Sequence, residues 1–225
     1  MPGSHSQQLN EIVEIMILTK PKSILDVGVG FGKYGVLARE YLDLWTGADK
    51  KSEAYRHWQT QIDGIEAYRD YLTPLHSFIY NQIYIGDACN IVPSIKNFSY
   101  DLILLIDVLE HLNYEEGLRL LNQLRRIGRN VLISTPKIMG EQDTLYGNKF
   151  ERHIHQWRKT DLVNLSESIL IPNEASFIIF SGQNISRIKA LVKKKKRQSF
   201  HRSLKTLFPF LIFPYRCFKK ILITK

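Results

Sequence analysis

Three glycines at alternate positions, Gly28, Gly30 and Gly32, follow the run Ile24-Leu25-Asp26-Val27. Glycine at this spacing lets a strand turn sharply into a helix and lets backbone N–H groups approach a ligand closely. Asp26 narrows the chemistry, because a loop built only to hold phosphate gains nothing from a carboxylate beside it. The combination points to a nucleoside-type ligand that carries a positive charge.

Further along the chain Glu66, Asp87 and Asp107 each follow an apolar stretch, as Asp26 does. Four acids at four successive strand tips are hard to obtain by chance. A literal GxGxxG also occurs at Gly30-Phe31-Gly32-Lys33-Tyr34-Gly35. In a dinucleotide fingerprint the first glycine closes the turn directly after the strand, and an acid follows about 20 residues later. Here Gly28 holds the first-turn position and Glu66 lies much further on, so hydride chemistry fits poorly.

Proton transfer near neutral pH suits imidazole, and His111, His153 and His155 are the candidate bases. His111 follows the fourth acid by four residues; packing against a sheet edge or capping the next helix would explain it equally well. In Arg152-His153-Ile154-His155-Gln156-Trp157-Arg158, an extended backbone would place His153, His155 and Trp157 on one side. No third ligand has diagnostic spacing, so no metal-binding residues are assigned.

The elements that must carry these residues read as alternating strands and helices. A helix is expected over Gln7–Thr19, ended by Pro21. Strands follow at Ser23–Val27, Gln61–Glu66, Gln82–Ile85, Leu102–Ile106, Asn130–Ser134 (stopped by Thr135-Pro136) and Ser176–Phe180. Helices are expected at Tyr34–Leu44, Tyr68–Ser77, Tyr114–Ile127 and Asp161–Ile169, with a charged surface insert at about 45–61. The run Leu102-Ile103-Leu104-Leu105-Ile106 is apolar throughout, as in a strand buried on both faces. The fold class implied is α/β: a Rossmann-like, doubly wound, mainly parallel seven-stranded sheet with helices on both faces. Ligands of such sheets bind outside the carboxyl ends of the strands, where the strand order reverses.

The segment Asp26-Val27-Gly28-Val29-Gly30-Phe31-Gly32 resembles the first motif of class I S-adenosylmethionine-dependent methyltransferases. Asp107-Val108-Leu109-Glu110-His111-Leu112 resembles the segment after their fourth strand, in the branch acting on small molecules and glycans. The resemblance covers roughly residues 24–180. It implies S-adenosylmethionine as cofactor, with Gly28, Gly30 and Gly32 beside its methionine part and Asp26 near the amino end. Glu66 would take the ribose hydroxyls, Asp87 the adenine amino group with a backbone contact from Ala88, and Asp107 with Val108 would line the methionine side. Asp63, three residues before Glu66, is the competing register that the insert at 45–61 introduces; Glu66 is favoured because the apolar Ile65 precedes it and Ala67 follows, as at the end of a buried strand. After the fourth strand there is no Asn/Asp-Pro-Pro-aromatic run, and no Pro-Cys nucleophile occurs, which disfavours nucleobase acceptors. The expected acceptor is a small molecule or glycan, lipid-linked acceptors included. The competing readings are a non-catalytic membrane- or partner-binding module on the same fold and an RNA methyltransferase that uses the basic tail.

The formal charge of +9 is unevenly distributed. Residues 189–225 hold twelve of the 31 Lys/Arg and none of the 22 Asp/Glu, so residues 1–188 carry 19 basic against 22 acidic side chains. The expected division is therefore a methyltransferase domain over 1–188 and a basic, aromatic-rich tail over 189–225. Lys193–Arg197 followed by Phe208, Phe210, Phe213, Tyr215 and Phe218 suits an anionic membrane surface. The same charges could meet nucleic-acid phosphates, or form a plain linker before a packing helix. Cys89 and Cys217 show no paired spacing, and the first residues lack a signal pattern. The expected location is cytoplasmic, or peripheral at the inner membrane face.

Overall fold

The computed structural model describes residues 4, 6–45, 57–163 and 167–207. The chain divides into two compact units, Met1–Ile188 and Lys189–Lys225. The first contains a seven-stranded sheet: β1 (Ser23–Val27), β2 (Gln61–Glu66), β3 (Gln82–Ile85), β4 (Leu102–Ile106), β5 (Asn130–Pro136), β6 (Ser168–Ile171) and β7 (Ser176–Gly182). Its helices are α1 (Leu9–Thr19), α2 (Lys33–Ala38), α3 (Pro74–Ile79), α4 (Ala88–Ile91), α5 (Tyr114–Ile127), α6 (Lys159–Val163) and the start of α7 (Ile185–Leu207).

The strand order is β3-β2-β1-β4-β5-β7-β6. It reverses between β1 and β4, so the carboxyl ends of these two strands open the crevice in which such sheets bind ligands. Pairing from β3 through β5 is parallel. β7 runs antiparallel to both β5 and β6, so the mainly parallel sheet is mixed at this edge, a feature the sequence reading did not specify. A tight β6–β7 connection explains the reversal, since neighbours joined by a few residues can only pair antiparallel.

Four local expectations are corrected. Ser168 and Ile169 belong to β6 rather than to a helix, because Ile169 to Ile171 pair with β7. The helix after the glycines widens at Ala38 into a π-helical turn, Arg39–Leu44. The buried Arg39 guanidinium sits there, donating to the carbonyls of Ile79 and Thr60 and to Asp43 and Asn81. The expected Tyr68–Ser77 helix is two pieces, a 3-10 turn at Arg69–Tyr71 and then α3, opened by Thr73 and Pro74. Finally, β5 runs on through Thr135-Pro136, which face only β7, since pairing with β4 ends at Ser134. Residues 46–56 of the expected insert lie outside the described residues, as do Cys217 and the tail aromatics from Phe208 onward.

All five residues of β4 are buried, and the core around them includes Leu25, Val27, Leu121, Leu124, Ile133 and Ile179. Each such side chain contributes on the order of 1.5–3 kcal/mol by leaving water. Trp157 is also fully buried; its indole Nε1 donates to the Leu109 carbonyl at 2.8 Å. Its ring lies so close to Gly117 that a Cβ there would fall 2.2 Å from Cζ2. This anchor pins the segment after β5 to the start of α5 and to the loop leaving β4.

Candidate functional site

The turn out of β1 is fixed by its own backbone. Gly28 has φ +82°, and a Cβ on it would stand 2.4 Å from Val108 Cγ2. Its N–H and that of Val29 donate to the Ile65 carbonyl at 2.9 and 3.2 Å, tying the loop to β2. Gly30 (φ +54°) donates from its N–H to Glu66 Oε2 at 2.8 Å, and its carbonyl accepts from His76 Nε2 at 2.9 Å. Gly32 (φ +79°) caps α2. The apparent GxGxxG gains a packing explanation at its last glycine: a Cβ on Gly35 would lie 2.5 Å from Tyr80 Cζ.

Tyr80 leads to Asp26. Its hydroxyl donates to Asp26 Oδ2 at 2.6 Å, and both groups are buried behind the loop. Burial, with a smaller push from Glu66, raises the Asp26 carboxyl to about 7 against the opposing Tyr80 hydrogen bond. Glu66 is the last residue of β2, and its Oε1 accepts from the Tyr68 N–H at 2.9 Å. Burial raises its pKa, while the Tyr68 and Gly30 N–H groups hold it down. Asp63 faces a different environment, accepting from Tyr100 Oη at 2.8 Å and Gln61 Nε2 at 2.7 Å. Asp87 caps α4 by accepting from the Cys89 N–H at 2.8 Å, with Ala88 opening the helix. Asp107 stands directly after β4 in a left-handed conformation, φ +53°. Its carboxylate accepts from the Ser134 hydroxyl at 2.8 Å and from Gln8 Nε2 at 2.6 Å.

These elements enclose one cavity of about 520 Å³. Gly28, Gly30, Glu66, Asp87, Ala88, Asp107, Val108, His111 and His153 line it; Asp26, Gly32, Asp63 and His155 do not. His155 instead packs edge-on against Trp157, with ring centroids 5.2 Å apart, and near Tyr114 at 5.4 Å. His153 and His155 therefore do not share one side as expected for an extended 152–158, because the segment has no regular strand geometry. The carboxylates of Glu66, Asp87, Asp107 and Glu151 line the cavity together with Lys33 and with the buried Glu110, whose carboxyl is pushed up to about 8 by burial first and Asp107 second. Such a surface favours a cationic ligand.

At the other end of the cavity His111 and His153 stand with ring centroids 5.1 Å apart. His111 Nδ1 lies 3.1 Å from the Arg152 carbonyl and His153 Nδ1 lies 2.6 Å from that of Gly140. A carbonyl can only accept, so each Nδ1 carries a proton, and in the neutral ring Nε2 is the nitrogen with the lone pair. Burial, the largest influence, depresses the His111 pKa. Glu110 is buried beside them, with Oε2 accepting from the Thr135 hydroxyl at 3.1 Å. One ligand atom from each of Glu110, His111 and His153 lies within 4.8 Å of the others.

Several lining residues escaped the sequence reading. Ser4 and Tyr34 meet through their hydroxyls at 2.6 Å, and Lys33 donates to the Ser4 carbonyl at 2.9 Å, bringing the N-terminal segment to the cavity. Tyr71, Gln142, Asn148, Phe150 and Glu151 arrive from the segments after β2 and β5, with Tyr71 donating to Glu151 Oε1 at 3.0 Å. Glu110 had a signal, being inside the Asp107–Leu112 segment, as did Lys33 and Tyr34, which open α2 directly after the glycines; the others sit in turns and loops without pattern.

No protein-family model matches the chain, and no curated protein matches it by sequence. Solved structures do. The N-terminal domain of EvdMO1 with SAH bound is 13% identical, with a TM-score of 0.53, covering 80% of this chain and 82% of that one. A SAM-dependent methyltransferase from Archaeoglobus fulgidus is 12% identical, TM-score 0.51, covering 77% and 94%. The bifunctional kinase-methyltransferase WbdD is 12% identical, TM-score 0.52, covering 77% of this chain; the match spans 39% of the WbdD chain. The fold of this chain is that of the class I S-adenosylmethionine-dependent methyltransferases.

Proposed function

We propose that the chain is an S-adenosylmethionine-dependent methyltransferase whose acceptor is a hydroxyl-bearing small molecule or glycan. The observation that carries this reading is the convergence of the Gly28–Gly32 loop, Glu66, Asp87 and Asp107 on one cavity at the strand-order reversal. Its volume of about 520 Å³ lies in the range of small-molecule sites, and its carboxylates suit a ligand with a sulfonium and an ammonium. Glu66 offers two acceptor oxygens for a pair of ribose hydroxyls, while Asp87 and Ala88 offer an acceptor and a backbone edge for adenine. Bound there, the cofactor supplies a methyl group activated by a sulfonium leaving group.

The chain's own part is orientation and proton removal. In-line transfer depends on holding two reactants in register, and positioning supplies much of the rate. The Nε2 lone pairs of His111 and His153 are suited to receive a proton from an acceptor hydroxyl. The packing of His155 against Trp157 and Tyr114 argues against that role for it. Tyr71, Phe150, Gln142 and Asn148 supply the aromatic and amide groups that suit a sugar. EvdMO1, whose domain shares this fold, has been crystallised in the presence of SAH and D-fucose, which favours a sugar acceptor here.

Titration calorimetry with SAH tests the reading; no binding at millimolar ligand overturns it and leaves the interaction-module alternative. The tail's part is contact with an anionic membrane. Lys193–Arg197 lie on α7, and each contributes on the order of 1 kcal/mol near such a surface. Among the described residues no helix is long and apolar enough to cross a membrane. Co-sedimentation with anionic vesicles should be lost when residues 193–225 are deleted, with SAH affinity retained; unchanged co-sedimentation refutes that assignment.

A further inference from the structure

Spacing along the chain gave no reason to expect a metal, because His153 lies 42 residues beyond His111. Folding brings the two together with Glu110 at the acceptor end of the cavity, ligand atoms within 4.8 Å of one another. We propose that Glu110, His111 and His153 form a binding site for a divalent first-row transition ion that holds and activates the acceptor hydroxyl.

Three features of the geometry support a metal over three independent side chains. Both imidazoles have Nδ1 tied to a backbone carbonyl, which orients each ring and leaves Nε2 as the ligating atom. Metal-bound histidines commonly have this outer-shell arrangement, with the far N–H donated to a carbonyl or carboxylate. The segments bearing the carbonyl partners, Arg152 and Gly140, are tied together by the His153 N–H to the Gln142 carbonyl at 3.0 Å and by Gln142 Nε2 to the Glu151 carbonyl at 2.6 Å. Glu110 has one oxygen occupied by Thr135, so its carboxylate is also fixed in direction. Its neighbours Ile154 and His155 donate their N–H groups to the Glu110 carbonyl at 2.8 and 3.2 Å, locking the two ligand-bearing segments together.

Two imidazoles and one carboxylate select a transition ion such as Zn²⁺, Mn²⁺ or Co²⁺ over Mg²⁺ or Ca²⁺, which prefer all-oxygen shells. At metal–ligand distances of about 2.1 Å, donor atoms stand roughly 3–4 Å apart, so the side chains need close by only about an ångström. Three protein ligands leave positions open to the cavity, as in catalytic rather than structural sites. An acceptor oxygen taking an open position would have its pKa lowered. With both Nε2 lone pairs on the ion the histidines no longer receive the proton, so in the metal-bound site the hydroxyl proton leaves to water, the oxygen lone pair forms the new O–CH₃ bond, and the C–S bonding pair stays on sulfur as a neutral thioether. The substrate class is thus an alcohol or vicinal diol able to coordinate, which rests on the methyltransferase reading; the metal site itself does not.

The test is titration of the full-length protein with CoCl₂, read by visible d–d absorption, alongside calorimetry with SAH. The expected result is one Co²⁺ per chain, weakened at least tenfold by His111→Ala, His153→Ala and Glu110→Gln, and unchanged by His155→Ala. SAH affinity should stay within about twofold in His153→Ala, which also shows that this variant is folded. No cobalt band in a chain that binds SAH overturns the metal site and leaves the methyltransferase reading standing. A cobalt band without SAH binding supports the site and removes its catalytic role. Cobalt binding that survives the His111→Ala/His153→Ala double variant overturns the proposal.

Discussion

The two ends of the cavity are built on different principles. At the glycine-loop end, the glycines and the acids come from the tip of a strand or the first turn after it. Gly28, Gly30, Glu66, Asp87 and Asp107 are placed by parallel pairing of β1 to β4, and their contacts are largely to backbone. At the acceptor end, Glu110, His111, Gln142, Asn148, Phe150, Glu151 and His153 come from irregular loops held by single anchors such as Trp157. A sheet can present one ligand's contacts with little side-chain adjustment, whereas loops allow the opposite wall to vary. That difference fits a fold keeping one cofactor while changing acceptors, since function resides in the site rather than the fold.

The glycine-loop end should fail abruptly when its backbone is disturbed. Gly28→Ala combines a left-handed conformation with a Cβ 2.4 Å from Val108 Cγ2. Strain and overpacking together cost roughly 2–6 kcal/mol, so thermal denaturation should show a marked loss of stability, with SAH binding abolished. Retention of both would mean that the loop is not rigidly specified.

The next effect concerns pH. Asp26 is raised from 3.8 to about 7, so its contribution to stability is fully present below pH 4 and is lost as pH rises through 7. Asp26→Asn keeps an oxygen for the Tyr80 hydroxyl and removes this titration. Denaturant unfolding of the two proteins from pH 4 to pH 7.5 should show the wild type losing on the order of 4 kcal/mol relative to the variant. Parallel pH profiles would contradict the buried, desolvated setting of this carboxyl.

Glu66→Ala should weaken SAH by about 10- to 100-fold, the loss of a charge-assisted pair of about 1.5–3 kcal/mol. Asp63→Asn should change it by less than about twofold, since Asp63 meets Tyr100 and Gln61 rather than the cavity. Reversed effects would move the cofactor's ribose to the other acid. The smallest change is expected at the acceptor end: His155→Ala should leave SAH affinity unaltered, since His155 lies off the cavity. A large loss of affinity there would mean that the two ends are mechanically joined.

Legibility followed the same division. The strand tips could be read because an apolar run, an acid and a glycine are consecutive in sequence, and parallel pairing turns consecutive signals into neighbouring side chains. The sequence favours Glu66 over Asp63 through the apolar Ile65 before it; in the fold Glu66 lines the cavity and accepts from the Gly30 N–H, while Asp63 accepts from the Tyr100 hydroxyl. The β6–β7 hairpin was misread in part because Ser168–Ile171 has no alternation, and its strand character comes from pairing with β7.

The sequence by itself determined the α/β alternation, the glycine turn, the acids at the strand tips and the concentration of positive charge after residue 188. These are local properties, set by residue type and short-range spacing. Only the tertiary structure decided that β7 runs antiparallel, that Ser4 and Tyr34 reach the cavity, and that His153 rather than His155 joins His111. It also decided that Glu110 stands with those two histidines. Residues 42 positions apart are joined by the Ile154 and His155 N–H groups on the Glu110 carbonyl, beside the burial of Trp157 against Gly117, and no spacing in the chain encodes those contacts.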